Sequence, residues 1–150
     1  MKRITKNKKG FTLLLAVLIS SLLLAIGLAI FNITIKELLL ASSGRESQFA
    51  FYSADTGTEC ALYWDLKQGA FSTSTTSSIN CNGTAIPGMG GGGYGAQNVF
   101  QLDFSPEPYC AIVTVTKTTG PERTTIESRG YNSCDTGNPR RVERAIRVVY

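Results

Sequence analysis

The chain has 150 residues, 43% of them hydrophobic and 17% charged, with 15 Lys and Arg against 11 Asp and Glu and no histidine. The sequence pI of about 9.0 points toward polyanionic partners, but five of the 15 basic residues fall before Gly10. The remainder carries 10 against 11, a formal charge of −1, which excludes nucleic-acid binding by net charge alone, and the missing histidine removes the commonest general base and metal ligand.

Lys2, Arg3, Lys6, Lys8 and Lys9 make residues 1–10 a basic leader, and the 25 residues 11–35 behind it carry no charge. An ordinary secretory signal has an apolar core of about 7–15 residues followed by an A-x-A-like cut, so this run is too long. As a helix rising about 1.5 Å per residue it reaches roughly 37 Å, more than a hydrocarbon core of about 30 Å. The charges ahead of it predict a cytoplasmic N-terminus, a single pass through the cytoplasmic membrane, and an extracytoplasmic location for everything from Lys36 onward. Those 115 residues suffice for one small domain.

The stretch Lys8-Lys9-Gly10-Phe11-Thr12-Leu13, followed by an unbroken hydrophobic segment, resembles the class III signal of type IV pilins and type II secretion pseudopilins. The resemblance implies that a prepilin peptidase cuts between Gly10 and Phe11, removes only residues 1–10 and methylates the new Phe11 amine. It also implies a pilin-like α+β fold, in which a long N-terminal helix packs on a small antiparallel sheet, and partnership with other pilin or pseudopilin subunits. A simple signal anchor that keeps its leader is the competing reading.

One position departs from the family. Counting Phe11 as the first mature residue, the fifth is Leu15, where most pilins carry a glutamate thought to meet the terminal amine of a neighbouring subunit. A charge left alone in hydrocarbon costs several kcal/mol, and an opposite charge offsets part of that. Leu15 cannot take this role. Within the family the absence resembles the minor subunit at a pseudopilus tip, and the chain reads as a minor rather than a bulk subunit.

The helical reading continues through residues 36–67 without a proline. Phe49, Tyr52, Thr56, Glu59 and Tyr63 recur at spacings of three or four, and Phe51, Ala54, Thr58, Ala61, Leu62 and Leu66 mark an adjacent stripe. These predict a broad apolar face packed on the protein's own sheet. Gly27 and Gly44 each weaken a helix by about 1 kcal/mol relative to alanine and mark the places where a bend is expected. Residues 48–59 also loosely resemble the post-membrane helix of PilX-type minor pilins.

Composition shifts at residues 68–97. Serine and threonine dominate 71–78 and glycine dominates 88–95, so the segment reads as surface loop. No Gly-Lys-Ser/Thr follows the glycines, which argues against a phosphate cradle.

Residues 98–150 read as an antiparallel sheet of four strands, at 98–104, 109–116, 124–131 and 142–150. In the first, Val99, Leu102 and Phe104 stand among polar residues; in the second, Ala111, Val113 and Val115 alternate with Ile112, Thr114 and Thr116. In the last, Val142, Ile146, Val148 and Tyr150 share a face. Thr119-Gly120-Pro121-Glu122 supplies a turn between the second and third.

All four cysteines, Cys60, Cys81, Cys110 and Cys134, lie beyond the membrane segment. In an oxidising compartment they predict two disulfides, with three connectivities open. If 109–116 and 124–131 form a hairpin, its outer ends bring Cys110 toward Cys134, leaving Cys60 for Cys81. A zinc site of four widely spaced thiolates is the weaker alternative.

Without histidine, a Gly-x-Ser-x-Gly elbow or a paired-carboxylate motif, the sequence argues against an enzyme and calls for no cofactor or metal. Arg140, Arg141, Arg144 and Arg147 are the candidate binding residues. On a strand Arg141 and Arg147 share one face and Arg140 and Arg144 the other, a pattern that serves either DNA phosphates or a solvated edge. The expected function is that of a filament subunit that leaves the membrane for a periplasmic or cell-surface assembly. The alternative is a membrane-anchored module that binds DNA or a surface ligand.

Overall fold

The computed structural model describes residues 9–119 and 123–150. The architecture is α+β: helix α1 spans Lys9–Leu66, and six strands follow, β1 (Thr76–Cys81), β2 (Thr84–Gly90), β3 (Gln97–Asp103), β4 (Cys110–Lys117), β5 (Thr124–Tyr131) and β6 (Glu143–Val149). The chain forms two compact units that divide after Ser42, and α1 contributes to both. The helix is unbroken through Gly27 and Gly44.

In the second unit, β3 to β6 form an antiparallel meander in sequence order. Its registers align three rows across one face: Asn98, Val115, Ile126, Val148; Phe100, Val113, Ser128, Ile146; and Leu102, Ala111, Gly130, Arg144. The four central residues Ala111, Val113, Val115 and Ile126 are fully buried, as the period-two pattern of a half-buried strand requires. Strand β3 differs from expectation by one residue. Its buried side chains are Phe100 and Leu102, while Val99 is 50% exposed, because Val99 falls on the opposite face from Leu102.

The helix meets this face through its smallest side chains. Ala50, Ser53, Ala54, Thr58 and Ala61 are buried, whereas Phe51, Tyr52, Tyr63 and Leu66 are exposed. Of the expected face, Ala54, Thr58 and Ala61 are buried and Phe49 stacks on Tyr109 at 4.5 Å, whereas Tyr52 and Tyr63 of the same stripe face outward. The reason is distance: a Cβ added to Gly57 would lie 2.5 Å from Ser128 Oγ and 2.7 Å from Val113 Cγ2. A Cβ on Gly130 would run into the Ala50 carbonyl oxygen and the Ala54 backbone nitrogen. Helix backbone lies against strand backbone, which admits glycine, alanine and serine and excludes rings.

The segment expected to be loop, residues 68–97, carries the hairpin β1–β2. Its turn is Asn82-Gly83, with φ of 51° and 76°, between the paired residues Cys81 and Thr84. Positive φ at both central positions is the type I′ geometry that Asn-Gly favours. Ile79, Cys81 and Met89 are buried from this hairpin and join Phe71, Phe100 and Leu102 in one core. The Phe71 and Phe100 rings stack at 6.1 Å. Trp64 Nε1 donates to the Asn80 carbonyl at 2.9 Å, and Cys60 is bonded to Cys81 across a Cα separation of 6.0 Å.

Cys110 is bonded to Cys134 with Cα atoms 5.5 Å apart, which ties the start of β4 to the loop after β5. Of the expected turn between β4 and β5, Gly120, Pro121 and Glu122 lie outside the described residues.

Candidate functional site

The first unit is one helical surface. Nineteen large apolar side chains from Phe11 to Leu40 are exposed, Leu15 at 46% and Leu40 at 74% among them. At about 1.5–3 kcal/mol for each large apolar side chain removed from water, leaving this surface wet costs on the order of tens of kcal/mol. It is made to be covered. The helix is long and apolar enough to cross a membrane, and its hydroxyls suit that environment. Ser20 and Ser21 donate to the carbonyls of Val17 and Leu18, and Thr34 to that of Ile30, at 2.9 to 3.0 Å. No water is needed to satisfy them.

Gly10 and Phe11 both lie within α1, and Phe11 is exposed. Leader residues 1–8 lie outside the described residues. Leu15 lies on the same apolar surface as its neighbours.

The arginines do not form the two strand faces expected of them. Strand β6 begins at Glu143, so Arg140 and Arg141 precede it, and Arg144 and Arg147, three apart, fall on opposite faces. Two of the four side chains, those of Arg141 and Arg144, are engaged within the domain. The Arg141 guanidinium sits 3.7 Å from the centroid of the Tyr131 ring, and its Nε donates to the Ser133 carbonyl. Arg144 Nε donates to Ser47 Oγ at 2.7 Å, and the Arg140 carbonyl accepts from Asn132. Arg141 and Arg144 hold the loop between β5 and β6 and its contact with the helix, while Arg140 and Arg147 are exposed.

The carboxyl of Asp103 and the sulfurs of Cys110 and Cys134 lie within 4.8 Å of one another. All four cysteine sulfurs are in disulfides, so none is a thiolate available to a soft metal.

A polar cluster went unmarked in the sequence. Below the apolar rows, Lys117, Thr124 and Tyr150 continue the helix-facing side of β4, β5 and the segment after β6, and they converge on Asp65 in the last turn of α1. Lys117 Nζ lies 2.7 Å from Asp65 Oδ1 and 2.9 Å from Oδ2. The Tyr150 hydroxyl donates to Oδ2 at 2.7 Å, and Lys117 Nζ also donates to Thr124 Oγ1 at 3.3 Å. Burial, and then the hydrogen bond to Asp65, push the Tyr150 hydroxyl well above its ordinary pKa. The readable signal was parity: Lys117 and Thr124 each stand two residues from a core position, Val115 and Ile126, and Tyr150 stands two from Val148 in the same row. Gly69, at φ +61°, turns the chain out of the helix while Gly69 and Ala70 donate to the carbonyls of Asp65 and Trp64.

No protein-family model, no curated protein and no solved structure matches this chain.

Proposed function

We propose that this chain is a structural subunit, a minor pilin or pseudopilin, of a type IV pilus-like filament. The observation that carries the reading is the exposed apolar surface of α1 from Phe11 to Leu40, preceded by Lys8-Lys9-Gly10-Phe11. Before assembly, lipid covers that surface, with the basic leader holding the N-terminus inside. After prepilin peptidase cuts at Gly10-Phe11, equivalent helices of neighbouring subunits cover it, and the disulfide-bonded α+β unit faces outward. The work done is helix association and not catalysis.

Two features support this reading. The hydroxyls of Ser20, Ser21 and Thr34 are satisfied within the helix, which suits them both to lipid and to a dry protein core. The second half of the helix spends its small residues on the sheet and leaves Phe51, Tyr52, Tyr63 and Leu66 exposed, apolar side chains of the second unit that are available to neighbours. Leu15 in place of a carboxylate supports a minor position.

Mass spectrometry of the mature chain tests the proposal. It expects a methylated Phe11 N-terminus and recovery of the protein, at low stoichiometry, in filaments sheared from cells. An intact Met1 leader would overturn it in favour of a static membrane anchor.

A further inference from the structure

A cavity of about 620 Å³ opens beside the end of α1, within the roughly 300–1,000 Å³ range of small-molecule sites. Three groups of residues line it: Gly69, Ser72 and Thr73 after the helix, Tyr94 of the glycine-rich loop after β2, and residues 117–119 and 123–124 at the facing ends of β4 and β5. The glycine-rich wall is tied down on both sides. Gly91 and Gly93 donate to the carbonyls of Ser72 and Thr73 at 2.7 and 3.0 Å, and Gly95 donates to that of Lys117 at 2.7 Å. All three glycines have φ between +77° and +86°, a conformation that costs a side-chain-bearing residue and suits glycine.

This wall holds Tyr94 between two pinned glycines with its ring 66% exposed at the edge of the cavity. A ring so placed contributes little to the core, yet the backbone is fixed on either side of it. Ser72, Thr73, Thr119 and Arg123 also line it, and the Ser72 hydroxyl is engaged by Ser74. The charges are unequal in availability. Lys117 is neutralised by Asp65 at 2.7 Å, whereas Arg123 is exposed and has no ion pair among the described residues. The loop N–H groups of Gly91, Gly93 and Gly95 are already committed, so the glycines do not form a nest for phosphate.

We propose that this cavity binds an acidic sugar unit of a polysaccharide. The Tyr94 ring stacks on the C–H face of the pyranose, a flat apolar surface rimmed by hydroxyls. The Thr73 and Thr119 hydroxyls, each donor and acceptor, exchange hydrogen bonds with the sugar hydroxyls. Arg123 pairs with the uronate carboxylate through its two-pronged fork. The inference stands on the cavity alone and does not depend on entry into a filament.

The test uses the full mature chain in micelles of a detergent without a sugar headgroup. Saturation-transfer NMR and titration are run with tri-galacturonate, its neutral methyl ester, and tricarballylate as a carboxylate without a sugar ring. Tri-galacturonate is expected to receive saturation at its ring C–H protons and to bind at least about tenfold more tightly than the ester, a difference of about 1.4 kcal/mol. Arg123→Gln should reduce the acid to the affinity of the ester, and Tyr94→Ala should weaken both sugars about tenfold. Both side chains are exposed, and unchanged Trp64 fluorescence checks that the variants fold. Absence of saturation transfer to tri-galacturonate, wild-type affinity in Tyr94→Ala, equal binding of acid and ester, or equal competition by tricarballylate would each overturn the proposal.

Discussion

Replacing Gly130 by alanine probes the contact on which the second unit is built. The added methyl meets the Ala50 carbonyl oxygen and the Ala54 backbone nitrogen, and helix backbone cannot rotate aside as a flexible side chain can. Relief requires lifting α1 from β5, which opens the packing of fully buried Ala50, Ala54, Ala61 and Val113. Overpacking a core costs about 1–3 kcal/mol, occasionally more, and backbone obstruction places this case at about 3 kcal/mol or above. For a unit of 108 residues, 43–150, at about 4 °C or more per kcal/mol, the midpoint should fall by roughly 12 °C or more. The single tryptophan, Trp64, bonded to Asn80 between helix and hairpin, reports the transition in detergent micelles with disulfides intact. Gly27→Ala is the control, since nothing lies within 4 Å of its added methyl. A Gly130→Ala midpoint within about 3 °C of wild type, less than 1 kcal/mol on that scale, would refute the backbone-contact account.

Tyr150→Phe should change the alkaline limb of stability. Its hydroxyl pKa is raised from 10.0 on folding, so its contribution is complete below pH 10 and is lost as pH rises through the folded value. Below pH 10 the variant should lose about 1.5–3 kcal/mol, the worth of a hydrogen bond to a charged group. Urea unfolding should then show wild type and variant converging at higher pH, and parallel curves would contradict this. Replacing Cys60 and Cys81 together by serine frees a loop with a sequence separation of 21 and should lower the unfolding free energy by about 3 kcal/mol, read from the urea midpoint. No change there would show that the hairpin is held without its staple. Leu15→Glu should leave shaft incorporation in isolated filaments unchanged if Leu15 marks a tip position; increased incorporation would show that the outer surface does not restrict the subunit.

Legibility differed from element to element for physical reasons. The strands at β4 and β5 were readable because a half-buried strand alternates with period two, and Ala111, Val113 and Val115 keep strict parity. The hairpin β1–β2 hid within a serine-, threonine- and glycine-rich composition, although Asn82-Gly83 carried its turn signal in plain view. The arginines misled because four basic residues in eight suggested a single strand, whereas Pro139 and the turn around it delay β6 to Glu143. The helix face was legible in part: Ala54, Thr58 and Ala61 are buried as their spacing required, while Phe51, Tyr52, Tyr63 and Leu66 of the same broad face are exposed.

The sequence by itself determined the membrane-length helix, the asymmetry of charge around it, the even count of cysteines that pair in two disulfides and the antiparallel character of residues 98–150. These follow from local quantities: hydropathy over a window, charge order along the chain and the period of apolar residues. Only the tertiary structure decided that α1 turns alanine and glycine toward the sheet and Tyr52 and Tyr63 away, that Asp65 gathers Lys117 and Tyr150, and that Tyr94 and Arg123 line one cavity. Each depends on the separation and register of elements distant in sequence. At the Gly57 and Gly130 contacts the approach is too close for side chains, and no local pattern records that distance.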